Sequence, residues 1–299
     1  MATILLAEDS PTHSTLIRSL LKTESHQVTC VTNGVEAMKV VESKLPDLVI
    51  TDLRMPEMNG QQLVQEITSK TPQLPAIVVT ARGSEALAVD ALAVGAANFV
   101  PKNSLNLLLN SAVRQTLWLS KVDALYRESP GIWPHPEFSL KLGNDVSAIG
   151  PAVAFVVQSL AASGFMDSTQ RIRVGTAVAS AVFNAICYGN LEIKDDDPAI
   201  AHFLAGDAQG KKELKRRAEE EAYRKCSVGL KISIGDEDTR ILVSHSGRGR
   251  MTRMRPAPGT PESFELEQCR GLMLMTSVMD DVTFRTDYSE VIMVKQHTC

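Results

Sequence analysis

The chain has no C-x-x-C pair, and its five cysteines, Cys30, Cys187, Cys226, Cys269 and Cys299, are odd in number and scattered. That argues against a disulfide framework or a zinc site and points to a reducing cytoplasmic setting. The six histidines lack ligand spacing such as H-E-x-x-H. Charge of one sign is also scarce. A net charge of −4 gives no electrostatic reason to expect nucleic-acid binding. No helix-turn-helix pattern or basic recognition helix is evident, so a transcription factor is the last of the candidate classes. There is no basic start followed by an apolar core, so no signal peptide is expected. The longest apolar stretch, 149–165, is interrupted by Gln158, Ser159, Ser163 and Gly164. It reads as too short and too polar to cross a membrane.

What is present is enough apolar material for two cores. The 299 residues are 44% apolar and 22% charged, and a chain of that length divides naturally into two domains. Residues 1–118 alternate short apolar runs with amphipathic segments, the pattern of an α/β fold with a doubly wound parallel sheet. The runs are Ile4–Ala7, Val28–Val31, Leu48–Thr51, Ala76–Val79 and Asn98–Val100, and helices are expected near 12–23, 34–44, 60–70, 84–94 and 104–117. Residues 119–137 hold Pro130, Gly131, Pro134 and Pro136 and read as a linker into which the preceding helix could extend. From 138 to 299 helices come first and strands later, which predicts a mixed α/β sandwich. A strand is expected at 138–142, helices at 148–163, 168–189, 211–226 and 270–279, and strands at 228–235, 240–245, 282–286 and 290–295.

Several chemistry-bearing residues fall at strand ends in the first domain. Glu8 and Asp9 follow the first strand, Asp52 the third and Lys102 the fifth, while Thr80 ends the fourth. In an open parallel sheet the carboxyl edge is where ligands bind, so these residues converge there. A carboxylate can attack a phosphoryl group, Mg²⁺ favours clustered hard oxygens, and a lysine and a hydroxyl suit phosphoryl oxygens. Singly, an Asp after a strand is a helix cap and a loop Lys is solvated. The ordered set favours the functional reading.

The segments Ala7-Glu8-Asp9, Thr51-Asp52-Leu53-Arg54-Met55-Pro56, Gly60, Val79-Thr80-Ala81 and Phe99-Val100-Pro101-Lys102 resemble the response-regulator receiver family, of flavodoxin-like fold. The resemblance implies that Asp52 is the phospho-acceptor, fed by a histidine kinase or phosphotransfer protein. It implies that Glu8, Asp9, Asp52 and the Arg54 carbonyl hold Mg²⁺, with Lys102 beside them and Thr80 and Phe99 as the switch pair. Arg54 and Arg82 occupy variable positions beside the site, where they are expected to tune phosphoryl lifetime.

In the second domain, Val182-Phe183-Asn184-Ala185-Ile186-Cys187-Tyr188-Gly189-Asn190-Leu191-Glu192, Ser244-His245-Ser246-Gly247-Arg248-Gly249 and Arg270-Gly271-Leu272-Met273-Leu274-Met275 resemble the GHKL-type ATPase fold, in particular its anti-sigma-factor serine kinase branch. Ser180, Asn184 and Tyr188 are spaced to share a helix face. In the family the first is a Glu that acts as base, and here it is Ser180. The adenine-binding Asp is here His245. Asn184, Gly247, Gly249 and Gly271 are retained as possible nucleotide contacts, with Arg248, Arg250, Arg253 and Arg255 in the lid region. The expectation is a degenerate domain that binds a partner, such as an anti-sigma antagonist or a sigma factor. Retained ATP binding comes second, and an active serine kinase third. Lys211–Lys225 reads as a solvated helix with i, i+4 ion pairs, and Asp195-Asp196-Asp197-Pro198 as a polar turn before a helix.

Overall fold

A computed structural model of the chain describes residues 1–81, 85–126, 137–194, 196–251, 267–285 and 287–297. Arg82, Trp133, Asp195, Arg253, Arg255, Cys299 and most of the linker fall outside them. The first sheet has the order β2-β1-β3-β4-β5 and is wholly parallel. Its strands are β1 (Thr3–Ala7), β2 (Gln27–Val31), β3 (Leu48–Asp52), β4 (Ala76–Thr80) and β5 (Asn98–Pro101). β3, β4 and β5 are buried at every residue, which is why they read as unbroken apolar runs. β2 is an edge strand and leaves Gln27, Thr29 and Cys30 exposed.

The helices α1 (Pro11–Lys22), α2 (Gly34–Ser43), α3 (Gly60–Lys70), α4 (Glu85–Ala93) and α5 (Leu105–Tyr126) cover this sheet. Side chains fix their starts. Asn33 accepts from Glu36 N at 2.8 Å, and Asn59 with Gln62 forms a capping box at the mouth of α3. α5 does not stop near 117 but continues to Tyr126, through the first part of the expected linker.

The second sheet is antiparallel with the order β6-β7-β8-β10-β9. It comprises β6 (Glu137–Leu142), β7 (Val228–Ile234), β8 (Asp238–His245), β9 (Asp281–Phe284) and β10 (Glu290–Gln296). Alternating burial along β7 and β8 marks one face packed on helices and one facing water. The helices are α6 (Ile149–Ser163), α7 (Ser168–Asn184), α8 (Pro198–Leu204), α9 (Ala208–Ala218) and α10 (Glu267–Val278). Asp167 and Gln170 form the capping box of α7, and Asp197 caps α8. The charged helix ends at Ala218, earlier than its sequence suggests, and Arg216 pairs with Glu213 and Glu220.

Two segments match a membrane span by length and apolar content, Val146–Ser163 and Ser168–Asn190, the second 94% buried. The first therefore exceeds what its polar interruptions suggested. In this fold both are core segments of the sandwich.

The two domains share buried packing. Leu119 and Val122 of α5 join a core with Val153, Val157 and Ile172. The buried Asp123 of α5 is ion-paired with the buried Arg171 of α7, which also donates to Ser168 Oγ at 3.1 Å.

Candidate functional site

At the carboxyl edge of the parallel sheet, one ligand oxygen each from Glu8, Asp9 and Asp52 lies within 4.8 Å of the others. Glu8 and Asp52 are buried and Asp9 is exposed. Lys102, just past β5, places Nζ 2.9 Å from Glu8 Oε2 and 2.9 Å from Asp52 Oδ2. Burial disfavours the ammonium, but its hydrogen bonds to Asp52 and Glu8, together with their charges, outweigh that and raise its pKa above the ordinary value. Leu53 N donates to Asp52 Oδ1 at 2.7 Å, leaving Oδ2 toward the lysine. Position 60 must be glycine, because a Cβ there would sit 2.1 Å from the Asp52 carbonyl oxygen.

Asp9, Arg54, Met55 and Asn59 line a cleft of about 560 Å³ at this edge. Hard oxygens from three carboxylates suit a divalent cation. With those carboxylates ionised, one lysine leaves the group with excess negative charge, which such an ion would offset. The cluster could therefore hold a divalent metal.

Thr80 and Phe99 lie on one face of the sheet. Val78 pairs with Phe99 and Thr80 with Pro101, so the threonine is one step along the same face as the ring. Both are buried.

Two participants were missed in the sequence. His13 Nδ1 lies 3.1 Å from Lys102 Nζ and 3.6 Å from Glu8 Oε1. It sits in the first turn of α1, and its only sequence signal is closeness to the Ser10 cap. The other is Arg270, buried between the domains. Its Nη2 donates to Asn98 Oδ1 at 2.6 Å and to Phe99 O at 3.1 Å, and its guanidinium lies 5.4 Å from the Phe99 ring centroid.

In the second domain the expected residues divide into two groups. Ser180, Asn184 and Gly271 line a cavity of about 740 Å³ between α5 and the helices of the sandwich. Tyr188 leaves their face. Residues Ala185–Asn190 form a π turn, and the Tyr188 ring is buried edge-on to Phe183. His245, Gly247 and Gly249 lie instead against that π turn. Gly249 N donates to Gly189 O at 2.9 Å, and Gly247 N to Asn190 Oδ1 at 2.8 Å. A Cβ at Gly249 would lie 2.0 Å from Tyr188 O, so its glycine serves close backbone packing. The His245 ring rests against Gly189, and its Nε2 faces Tyr288 O at 3.3 Å.

Burial lowers the His245 pKa, against the Tyr288 carbonyl and the Asp287 charge, which raise it. An unfolded histidine binds protons below about 6.5 that this buried ring refuses. Its contribution to stability is thus present above that value and lost as pH falls through the lowered folded pKa. His26 has the same sign. We expect His245→Gln to flatten, without abolishing, the fall in urea midpoint below pH 6.5, measured on the full chain.

A parallel-sheet domain with an acidic carboxyl edge, followed by an α/β sandwich built on an antiparallel sheet, places the chain among two-domain α/β proteins. Residues 4–114 match the family model of the response regulator receiver domain, and residues 144–295 match that of the histidine kinase-like ATPase domain. The chain belongs to both families, one in each domain. The transcriptional regulatory protein ZraR of Klebsiella oxytoca is 35% identical over 117 residues, covering 38% of this chain and 26% of that protein. The chemotaxis protein CheY of Listeria monocytogenes is 33% identical over 103 residues, 34% of this chain and 87% of that protein. A solved response regulator receiver domain protein from Clostridium thermocellum is 26% identical with a TM-score of 0.35, covering 38% of this chain and 96% of that one. The chain thus spans about a quarter of the transcriptional regulators it matches.

Proposed function

We propose that this chain is a two-component response regulator in which Asp52 accepts a phosphoryl group and the ATPase-like domain responds by binding a protein partner. The observation that carries the reading is the convergence of Glu8, Asp9, Asp52 and Lys102 on one sheet edge beside an open cleft.

In this reading an Asp52 carboxylate oxygen attacks the phosphorus of a phosphohistidine on a kinase or phosphotransfer protein. The new P–O bond forms as the P–N bond breaks, and the departing imidazole takes up a proton. Lys102 neutralises charge on the phosphoryl oxygens. Mg²⁺, held by Glu8, Asp9, Asp52 and the Arg54 carbonyl, would supply further neutralisation of that charge. The Thr80 hydroxyl then engages the phosphoryl group and the Phe99 ring follows it.

For the second domain, three features favour binding over phosphotransfer. Ser180 is no base at neutral pH, and its hydroxyl is engaged with Thr176 O at 3.1 Å. His245 is packed on Gly189 where an adenine-accepting carboxylate would stand. A Cβ at Gly271 would lie 3.4 Å from Asn184 Nδ2 and the Ser180 Cβ, so α10 closes on α7. The family resemblance suggests an anti-sigma antagonist or a sigma factor as partner. A receiver-gated serine kinase using ATP is the second reading, favoured by Asn184 and Lys211 lining the larger cavity.

Two measurements on the full chain test this. Acetyl phosphate with Mg²⁺ is expected to add one phosphoryl group by intact mass, and chelation of the metal to prevent it. Titration with Mg-ATP is expected to leave the melting temperature unchanged, since only a ligand that binds the native state raises stability. A saturable rise would favour the second reading.

A further inference from the structure

α10 has no solvent face in its middle turns. Leu272, Met275 and Val278, with Met279 just past the helix end, enter the core that joins the sandwich to α5. Met273 and Leu274 enter a different core, among Ala88, Ala91, Leu92 and Phe99 of the receiver. A helical stretch apolar on all sides is buried on all sides, and here the consecutive buried residues Arg270–Met275 form a wedge between domains, with Thr276 beyond them exposed. Arg270, Met273, Leu274 and Ser277 fall at i, i+3, i+4 and i+7, so they form one stripe, and that stripe lies on α4 and β5.

Both ends of the stripe are fastened by arginine. At the start of α10, Arg270 grips β5 through Asn98 Oδ1 and Phe99 O and covers the Phe99 ring. At the far end, Arg173 of α7 donates to Leu92 O in the last turn of α4 and lies 3.4 Å from Ser277 O in the last turn of α10. A cation at two helix C-termini meets the negative ends of both dipoles. One guanidinium thus joins the receiver helix to the sandwich helix.

We infer that the Arg270–Met273–Leu274 stripe of α10 is the output surface of this protein, occupied at rest by the receiver's own α4–β5 face and released when Asp52 is phosphorylated. The inference rests on the Asp52 reading. The coupling runs through Phe99. Its ring shares a sheet face with Thr80 and lies under Arg270, so a ring drawn toward Thr80 leaves the guanidinium without its aromatic face, while the strand carrying its carbonyl acceptor shifts. The exposed stripe would then offer two apolar side chains and a planar cation. It fits a protein partner with an apolar slot beside carbonyl or carboxylate acceptors.

The test is hydrogen exchange across residues 267–278 of the full chain, with the mass of the intact protein recording phosphorylation by acetyl phosphate and Mg²⁺. Phosphorylated protein is expected to exchange in this segment about tenfold faster, the size of an ordinary coupling between sites. Arg270→Ala is expected to speed the same exchange without phosphorylation. Asn98→Ala should do so from the receiver side, with a smaller change in volume. Arg270→Lys, which keeps the charge and loses the fork, should fall between. A mass increment with unchanged exchange overturns the release step while leaving Asp52 as acceptor. No mass increment overturns the Asp52 reading and the release step with it. Unchanged exchange in both alanine variants overturns the docking role of Arg270.

Discussion

Asp123→Ala is expected to cost about 3–5 kcal/mol of unfolding free energy, the range for breaking a buried ion pair by removing one partner. Asp123 is fully buried on α5 and Arg171 is 6% exposed on α7. Alanine would leave the guanidinium buried, held among the described residues by the Met166 carbonyl and the Ser168 hydroxyl. Since a domain is stable by only about 5–15 kcal/mol, that loss would bring the α5–α7 seam close to failure at room temperature. A urea titration followed by circular dichroism reads it as a lowered midpoint. Replacing both residues by apolar ones of similar size should cost far less, because no charge is then stranded.

Lys102→Met carries the second large effect. It removes the only ammonium bonded to Glu8 and Asp52 among the described residues and leaves two buried carboxylates facing each other. We expect a loss of about 1–3 kcal/mol without metal, the cost of leaving buried charged groups unsatisfied. Magnesium should recover part of it, because an ion that prefers the native state adds stability. The pH dependence has a definite sign. In the natural protein the raised Lys102 pKa means its contribution is fully present below the ordinary lysine value of about 10.4 and is lost as pH rises through the folded value. The gap in urea midpoint between protein and variant should therefore hold across the neutral range and close only in strong alkali. A variant equal in stability to the natural protein at pH 7 would contradict the ion-pair geometry.

The parallel sheet was legible because its central strands are buried on both faces and so appear as short unbroken apolar runs. The acidic edge was legible because Glu8, Asp9, Asp52 and Lys102 each fall at a strand end, which is where such a sheet gathers ligands. What stayed hidden depends on tertiary context. His13 looks like any residue in the first turn of an exposed helix until Lys102 reaches it. The extension of α5 into the linker was open from the sequence, but its reach to Tyr126 was not, because it accompanies the packing of Leu119 and Val122 on the second domain. The π turn at Ala185–Asn190 broke the assumed face of Ser180, Asn184 and Tyr188 by changing the periodicity after Asn184. The wedge role of α10 did leave a trace. Leu272-Met273-Leu274-Met275 has no polar side, and a helix with none must be covered on every side.

The most direct measurement is borohydride reduction of protein treated with acetyl phosphate and Mg²⁺, followed by mass mapping of peptide 45–54, which holds both Asp47 and Asp52. Asp47 is an internal control, since its carboxylate is engaged by Thr3 N and Oγ1 at the opposite end of β1. Conversion of Asp52 alone to the reduced alcohol is the expected result. Reduction at Asp47, or a peptide left unmodified although the protein has gained a phosphoryl group, would contradict the assignment.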